Sequence, residues 1–185
     1  MGPDEIVTSV DPKPIMLQLL ETLQAEHFEL AQQFNQYYIK VSEADGNNGF
    51  HDEERKVLIH SLRERVREFV KMMERHVANE NEKLFPSLAA CFTEEEVVPS
   101  FRFSSLLMEQ YFCSARSYLK LFLDVSEPGS DQLTKKELNR TISLLREGLI
   151  LLTEYFKIEK QLVLQQAAQK LQTKDVSISS AKEGG

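Results

Sequence analysis

The sequence predicts an all-α protein, an antiparallel up-down-up-down bundle of four helices. Three observations carry that prediction. Four long segments repeat apolar residues at spacings of three and four, the period at which a helix turns one face inward. Short polar stretches separate these segments, and short connections between long helices make antiparallel neighbours. No stretch alternates apolar and polar residues with period two, so no sheet is expected.

Residues 1–12 are expected to form a flexible arm, and the bundle is expected over 13–171. The first helix carries Ile15, Leu19, Leu20, Leu23, Leu30, Phe34 and Val41, and the polar turn "SEADGNNG" ends it. The second carries Val57, Leu58, Leu62, Val66, Phe69, Val70, Met73, Val77, Leu84 and Phe85, with Asp52 as its expected N-cap. "FTEEEVVPS", with Pro99, separates it from the third, whose apolar row is Phe103, Leu106, Leu107, Leu121 and Phe122. "SEPGSD" leads to the fourth, capped by Asp131 or Thr134 and lined by Leu138, Ile142, Leu145, Leu149, Leu152, Leu162 and Val163. The tail, 172–185, is small and polar and is expected to be disordered.

Composition narrows the function. A net charge of −7 argues against nucleic acid and anionic membrane as partners, since both need a basic surface, and it suits a protein that holds a cation. No run approaches the roughly 20 apolar residues of a membrane span, and the N-terminus lacks a signal pattern. It begins Met-Gly, but Ile6 stands where the myristoylation motif needs Ser or Thr. Cys91 and Cys113 fall on different helices at different heights, so free thiols and a cytoplasmic location are expected.

Polar residues interrupt the apolar rows. His27 lies four residues after Leu23 and three before Leu30. His76 follows Met73 by three, and Glu80 precedes Leu84 by four. Leu152, Tyr155, Glu159 and Leu162 are spaced three, four and three, which puts Tyr155 and Glu159 in the row as well. Gln110 continues the row of Phe103, Leu106 and Leu107. A buried carboxylate without a partner is costly or takes up a proton, so these groups need a common explanation. In an antiparallel bundle Gln110 and Tyr155 reach nearly one level, whereas His27 and His76 match less well, by about 7–8 Å.

With these residues in place, the chain resembles the hemerythrin-like, or HHE cation-binding, family. That pattern is two helix pairs, each with a His on its first helix and His-x-x-x-Glu on its second, often ending Leu-Phe-Pro. "EHFEL" with His27 and "HVANENEKLFP" with His76, Glu80, Leu84, Phe85 and Pro86 match the first pair. The second pair looks like a degraded copy, with Gln110 of "MEQYF" in place of one His, Tyr155 of "YFKIEKQLVLQ" in place of the other, and Glu159 kept. The intervals are 49 residues from His27 to His76 and 45 from Gln110 to Tyr155.

The resemblance implies non-haem iron held by His27, His76, Glu80 and Glu159, with Tyr155 and Gln110 as weaker ligands. The loss of histidines from the second pair points to one ion rather than two. The expected function is sensing or handling O2, NO or iron, with a small diatomic molecule as ligand and no protein partner identified. The alternative is a metal-free hemerythrin-like bundle acting as an interaction or regulatory module, in which Tyr155 fills the space of a ligand and bonds Glu80 or Glu159. No nucleophilic triad or phosphate-binding glycine loop is present, so a binding protein is preferred to an enzyme. His51 and His60 read as surface residues, and Cys113 as a small buried thiol.

Overall fold

The computed structural model describes residues 12–45, 51–91, 99–127, 132–165 and 167–168. The expected N-terminal arm, apart from Pro12 at the start of the first helix, the whole expected C-terminal tail and Asp131 lie outside these residues. The helices are α1 (Pro12–Asp45), α2 (Asp52–Asn79), α3 (Phe85–Cys91), α4 (Pro99–Val125) and α5 (Lys135–Ile158). A π-helical segment, Glu80–Leu84, joins α2 to α3 into one rod, and a second, Glu159–Leu164, extends α5. The four rods form an all-α antiparallel bundle, and no strand occurs among the described residues.

Side-chain pairing fixes the directions. On α1 and α2, Tyr37 packs on Phe69 while His76 bonds Glu26, so one chain rises as the other falls. Phe34 meets Phe156 while His27 reaches Glu159, which makes α1 and α5 antiparallel too. Between α4 and α5, Phe112 meets Tyr155 and Leu119 lies against Gly148. At that second crossing a Cβ on Gly148 would come within 2.9 Å of Leu119 Cδ2 and 3.3 Å of the Ala115 carbonyl, so the missing side chain sets how close the two helices lie.

The core follows the apolar rows of α1, α2 and α5, with Leu23, Leu30, Val66, Phe69, Met73, Leu145, Leu149 and Leu152 all buried. Burying each such side chain contributes about 1.5–3 kcal/mol. Exceptions fall at the row ends, where Ile15 and Val57 are exposed.

Helix α4 is rotated from expectation. Phe103 and Leu106 are 62% and 52% exposed, Leu121 is also exposed, and the inward row is Ser104, Met108, Phe112, Ala115, Leu119 and Phe122. That row contains a serine and an alanine, while the large apolar side chains of Phe103, Leu106 and Leu121 point outward.

The caps also differ in part. Thr134 caps α5 as expected, with its Oγ1 accepting from Glu137 N–H and its own N–H donating to Glu137 Oε2 at 2.8 Å. The N-cap of α2 is His51, one residue before Asp52, and its N–H donates to Glu54 Oε2 at 2.7 Å. Asp52 instead joins Glu53 and Glu54 in an acidic first turn, where the helix dipole favours negative charge.

Candidate metal centre

About midway along the bundle, three of the four rods bring polar side chains into a largely apolar interior. Helix α1 supplies Glu26 and His27, α2 supplies His76, and α5 supplies Tyr155. The two glutamates, Glu80 and Glu159, are each the first residue of a π-helical segment. Such segments are rare and are frequently found at functional sites. Here they occur as a matched pair, one in each half of the chain.

Glu159 is the hub. Its Oε2 lies 2.8 Å from His27 Nδ1 and its Oε1 lies 3.0 Å from His76 Nε2. The other nitrogen of His76, Nδ1, lies 3.0 Å from Glu26 Oε2. With a carboxylate at each ring nitrogen, His76 must donate from both, so without a metal it is an imidazolium. Tyr155 donates its hydroxyl to Glu80 Oε2. Glu80 Oε1 is buried and has no hydrogen-bond partner among the described residues.

The electrostatics agree with this wiring. Burial alone would lower the pKa of His76, but the hydrogen bond and charge of Glu159, with Glu80 and Glu26 behind them, hold it up at about 9. Burial, then the charge of Glu159, push Glu80 up to about 8 against the opposing effects of His76 and Tyr155. Burial also acts to raise Glu159, but hydrogen bonds from His27 and His76 prevail and hold it below the ordinary carboxylate value. Burial and the charges of Glu80 and Glu159 raise Tyr155 well above the usual phenol value, so it is a neutral donor. Of two close carboxylates, one stays ionised against the imidazolium and the other holds a proton.

One donor atom each from His76, Glu80 and Glu159 lie within 4.8 Å of one another, and the three residues are 2%, 1% and 0% exposed. An imidazole and two carboxylates converging in a dry interior, one carboxylate oxygen orphaned, fit a divalent cation in donor chemistry and in electrostatic need. Glu26 completes the arrangement, since a carboxylate on the far nitrogen of a ligating histidine fixes its tautomer and aims the near one.

His76, Glu80, Tyr155 and Glu159 thus come together, and His27 joins them at the edge, partly exposed. Gln110 does not take the place expected of it. It is exposed, because the inward row of α4 runs through Met108 and Phe112, and Phe112 is the α4 residue whose ring lies 6.1 Å from that of Tyr155. Cys113, expected to be buried, is exposed for the same reason. His51 and His60 are exposed as expected. Glu26 escaped the sequence reading because it is only half-buried and sits beside a residue of the row. Its one signal was its place next to His27 in "EHFEL".

The facing helices of a bundle are where interior metal sites with histidine and glutamate donors are built. Residues 18–102 match the sequence model of the hemerythrin HHE cation binding domain, so the chain is hemerythrin-like over its first helix pair. The match ends early in α4, and the pair bearing Phe112 and Tyr155 lies beyond it. No curated protein and no solved structure matches the chain.

Proposed function

We propose that this chain is a non-haem iron-binding protein that holds one ion through His76, Glu80 and Glu159, with His27 adjoining, and uses it to sense or handle a small diatomic molecule such as O2 or NO. The observation that carries the reading is Glu80 Oε1, a buried carboxyl oxygen without a partner among the described residues, in a cluster whose other members already face one another. Imidazole and carboxylate donors suit Fe(II) better than soft thiophilic ions. A single ion is supported by α4 and α5, where Phe112 and Tyr155 occupy the second half of the interior with a ring and a neutral phenol. Bound Fe(II) supplies coordination positions that three protein donors leave open.

The chain's own residues do the rest. Glu26 aims His76 and Tyr155 steadies Glu80 through Oε2, while Glu159, now bonded by two histidines, would turn to hold the cation with Glu80 Oε1. The ring of Phe156 packs edge-on against those of His27 and Tyr155 beside the cluster. Fe(II) loading without oxygen should give about one ion per chain and raise the melting temperature, because a ligand bound only by the folded state adds about 2.7 kcal/mol at a hundredfold excess over Kd. His76→Ala should abolish both effects. Occupancy below about a tenth of an ion per chain, where a structural or catalytic site would be filled, overturns the reading.

One observation supports the metal-free alternative. Apart from Glu80 Oε1, the site's carboxylate oxygens and both His76 nitrogens have partners, as a bundle that has lost its ion would require. Under that reading a proton on Glu80 replaces the ion, and Fe(II) leaves the melt unchanged.

A further inference from the structure

The donors of the cluster are sealed, so any cation must pass through the protein surface to reach them. Among the described residues an opening touches the cluster from outside. It is a cavity of about 190 Å³ between α1 and α2, lined by Glu26, Glu29, Leu30, Met72, Arg75 and His76. Leu30 and His76 are its buried members, while Glu29 and Arg75 are exposed at its rim. Glu26 stands between the two levels, with a half-buried carboxylate bonded to His76 Nδ1.

We propose that this opening is the uptake port for the cation, that Glu29 captures the ion at the rim, and that Glu26 is a latch whose carboxylate closes the inner end by bonding His76. The proposal rests on the cation-binding reading and adds the path and its residues. The geometry gives Glu26 two alternative partners, the imidazole or an arriving ion, and no other carboxylate bonds the outward-facing nitrogen of His76 among the described residues. An ion leaving solvent meets two carboxylates before it meets a ligating atom. Arg75, of opposite sign, sits in the same lining and opposes its approach. Carboxylates at a concave, low-dielectric mouth raise the local cation concentration and hence the rate of arrival, an effect that salt screens. They need not change the depth of the site once the ion is in.

The test uses the full chain and Co(II), whose visible absorption reports coordination in air. Stopped-flow uptake and chelator-driven release are measured for wild type, Glu29→Gln, Arg75→Gln and Met72→Trp, with equilibrium stoichiometry for each. Glu29→Gln should slow uptake about threefold to tenfold at low salt and Arg75→Gln should speed it, both differences shrinking at high salt with final occupancy unchanged. Met72→Trp, which fills the cavity, should slow uptake and release by the same factor, the mark of a blocked path rather than a weakened site. Uptake rates equal to wild type in both charge variants, with wild-type occupancy retained, overturn the port while leaving the cation site standing. A wild-type chain that takes up no Co(II) removes the cation reading, and the port with it.

Discussion

Loading the centre with a cation should expel about two protons per ion at pH 7. His76 donates from both nitrogens in the metal-free chain, so its Nε2 can ligate only after losing a proton. Glu80 is a neutral acid whose orphaned oxygen becomes a donor on ionisation. With Glu80 raised to about 8 and His76 to about 9, both groups are mostly protonated at pH 7, which gives about two protons released. Apparent affinity should then climb about a hundredfold per pH unit below pH 8, about tenfold per unit between 8 and 9, and level off above 9. Titration calorimetry in buffers of different ionisation enthalpy measures the protons directly. Glu80→Gln should reduce the release by about one. Stoichiometric binding with less than about half a proton released would refute the reasoning, because the cation would then have replaced no proton at either group.

Other outcomes follow from the same wiring. The metal-free chain should lose stability as pH rises. The folded pKa of Glu80 is raised from 4.5 to about 8 and that of His76 from 6.5 to about 9, so their contribution is full below the unfolded values and is lost up to about pH 9. Glu159, depressed in the fold, acts oppositely at acid pH, and thermal melts across pH 4–9 should peak on the acid side of neutral. Tyr155→Phe removes the partner of Glu80 Oε2 and should cost about 1–3 kcal/mol in urea melts of the metal-free chain. Phe112→His with Tyr155→His should raise the iron bound above one ion per chain by metal analysis. Gln110→His with Tyr155→His should not, because Gln110 is exposed; the reverse result would mean that the inward face of α4 is misassigned.

Most of the centre was legible in the sequence, for a physical reason. Where a row is strongly apolar, a polar residue at the right spacing stands out, as His76, Glu80, Tyr155 and Glu159 do among Met73, Leu84 and Leu152. The same logic failed on α4, where Phe103, Leu106 and Leu121 face outward and Ser104 and Ala115 face inward, so the hydrophobic contrast points the wrong way. That rotation misplaced Gln110 and Cys113 together and hid Phe112. Glu26 was hidden by a different cause. It acts on His76 across the helix interface, and periodicity within one helix says nothing about which rim residue a neighbour will need. The α2 cap moved by one residue because His51 lies extended just before three acids that all suit a first turn.

The paired π-helical segments bind chemistry to architecture. His76, Glu80, Leu84 and Leu88 are all buried at steps of four. In a regular α-helix three such steps drift by about 120°, which would swing Leu88 out of the interior. The wider turn beginning at Glu80 absorbs that phase slip, and the one beginning at Glu159 lets Leu164 and Ala167 stay inside in the same way. Each carboxylate therefore sits at a splice between two helical phases. Deleting a single residue just beyond either splice would rotate the donor against the buried side chains that follow it, Leu88 in one rod and Leu164 and Ala167 in the other.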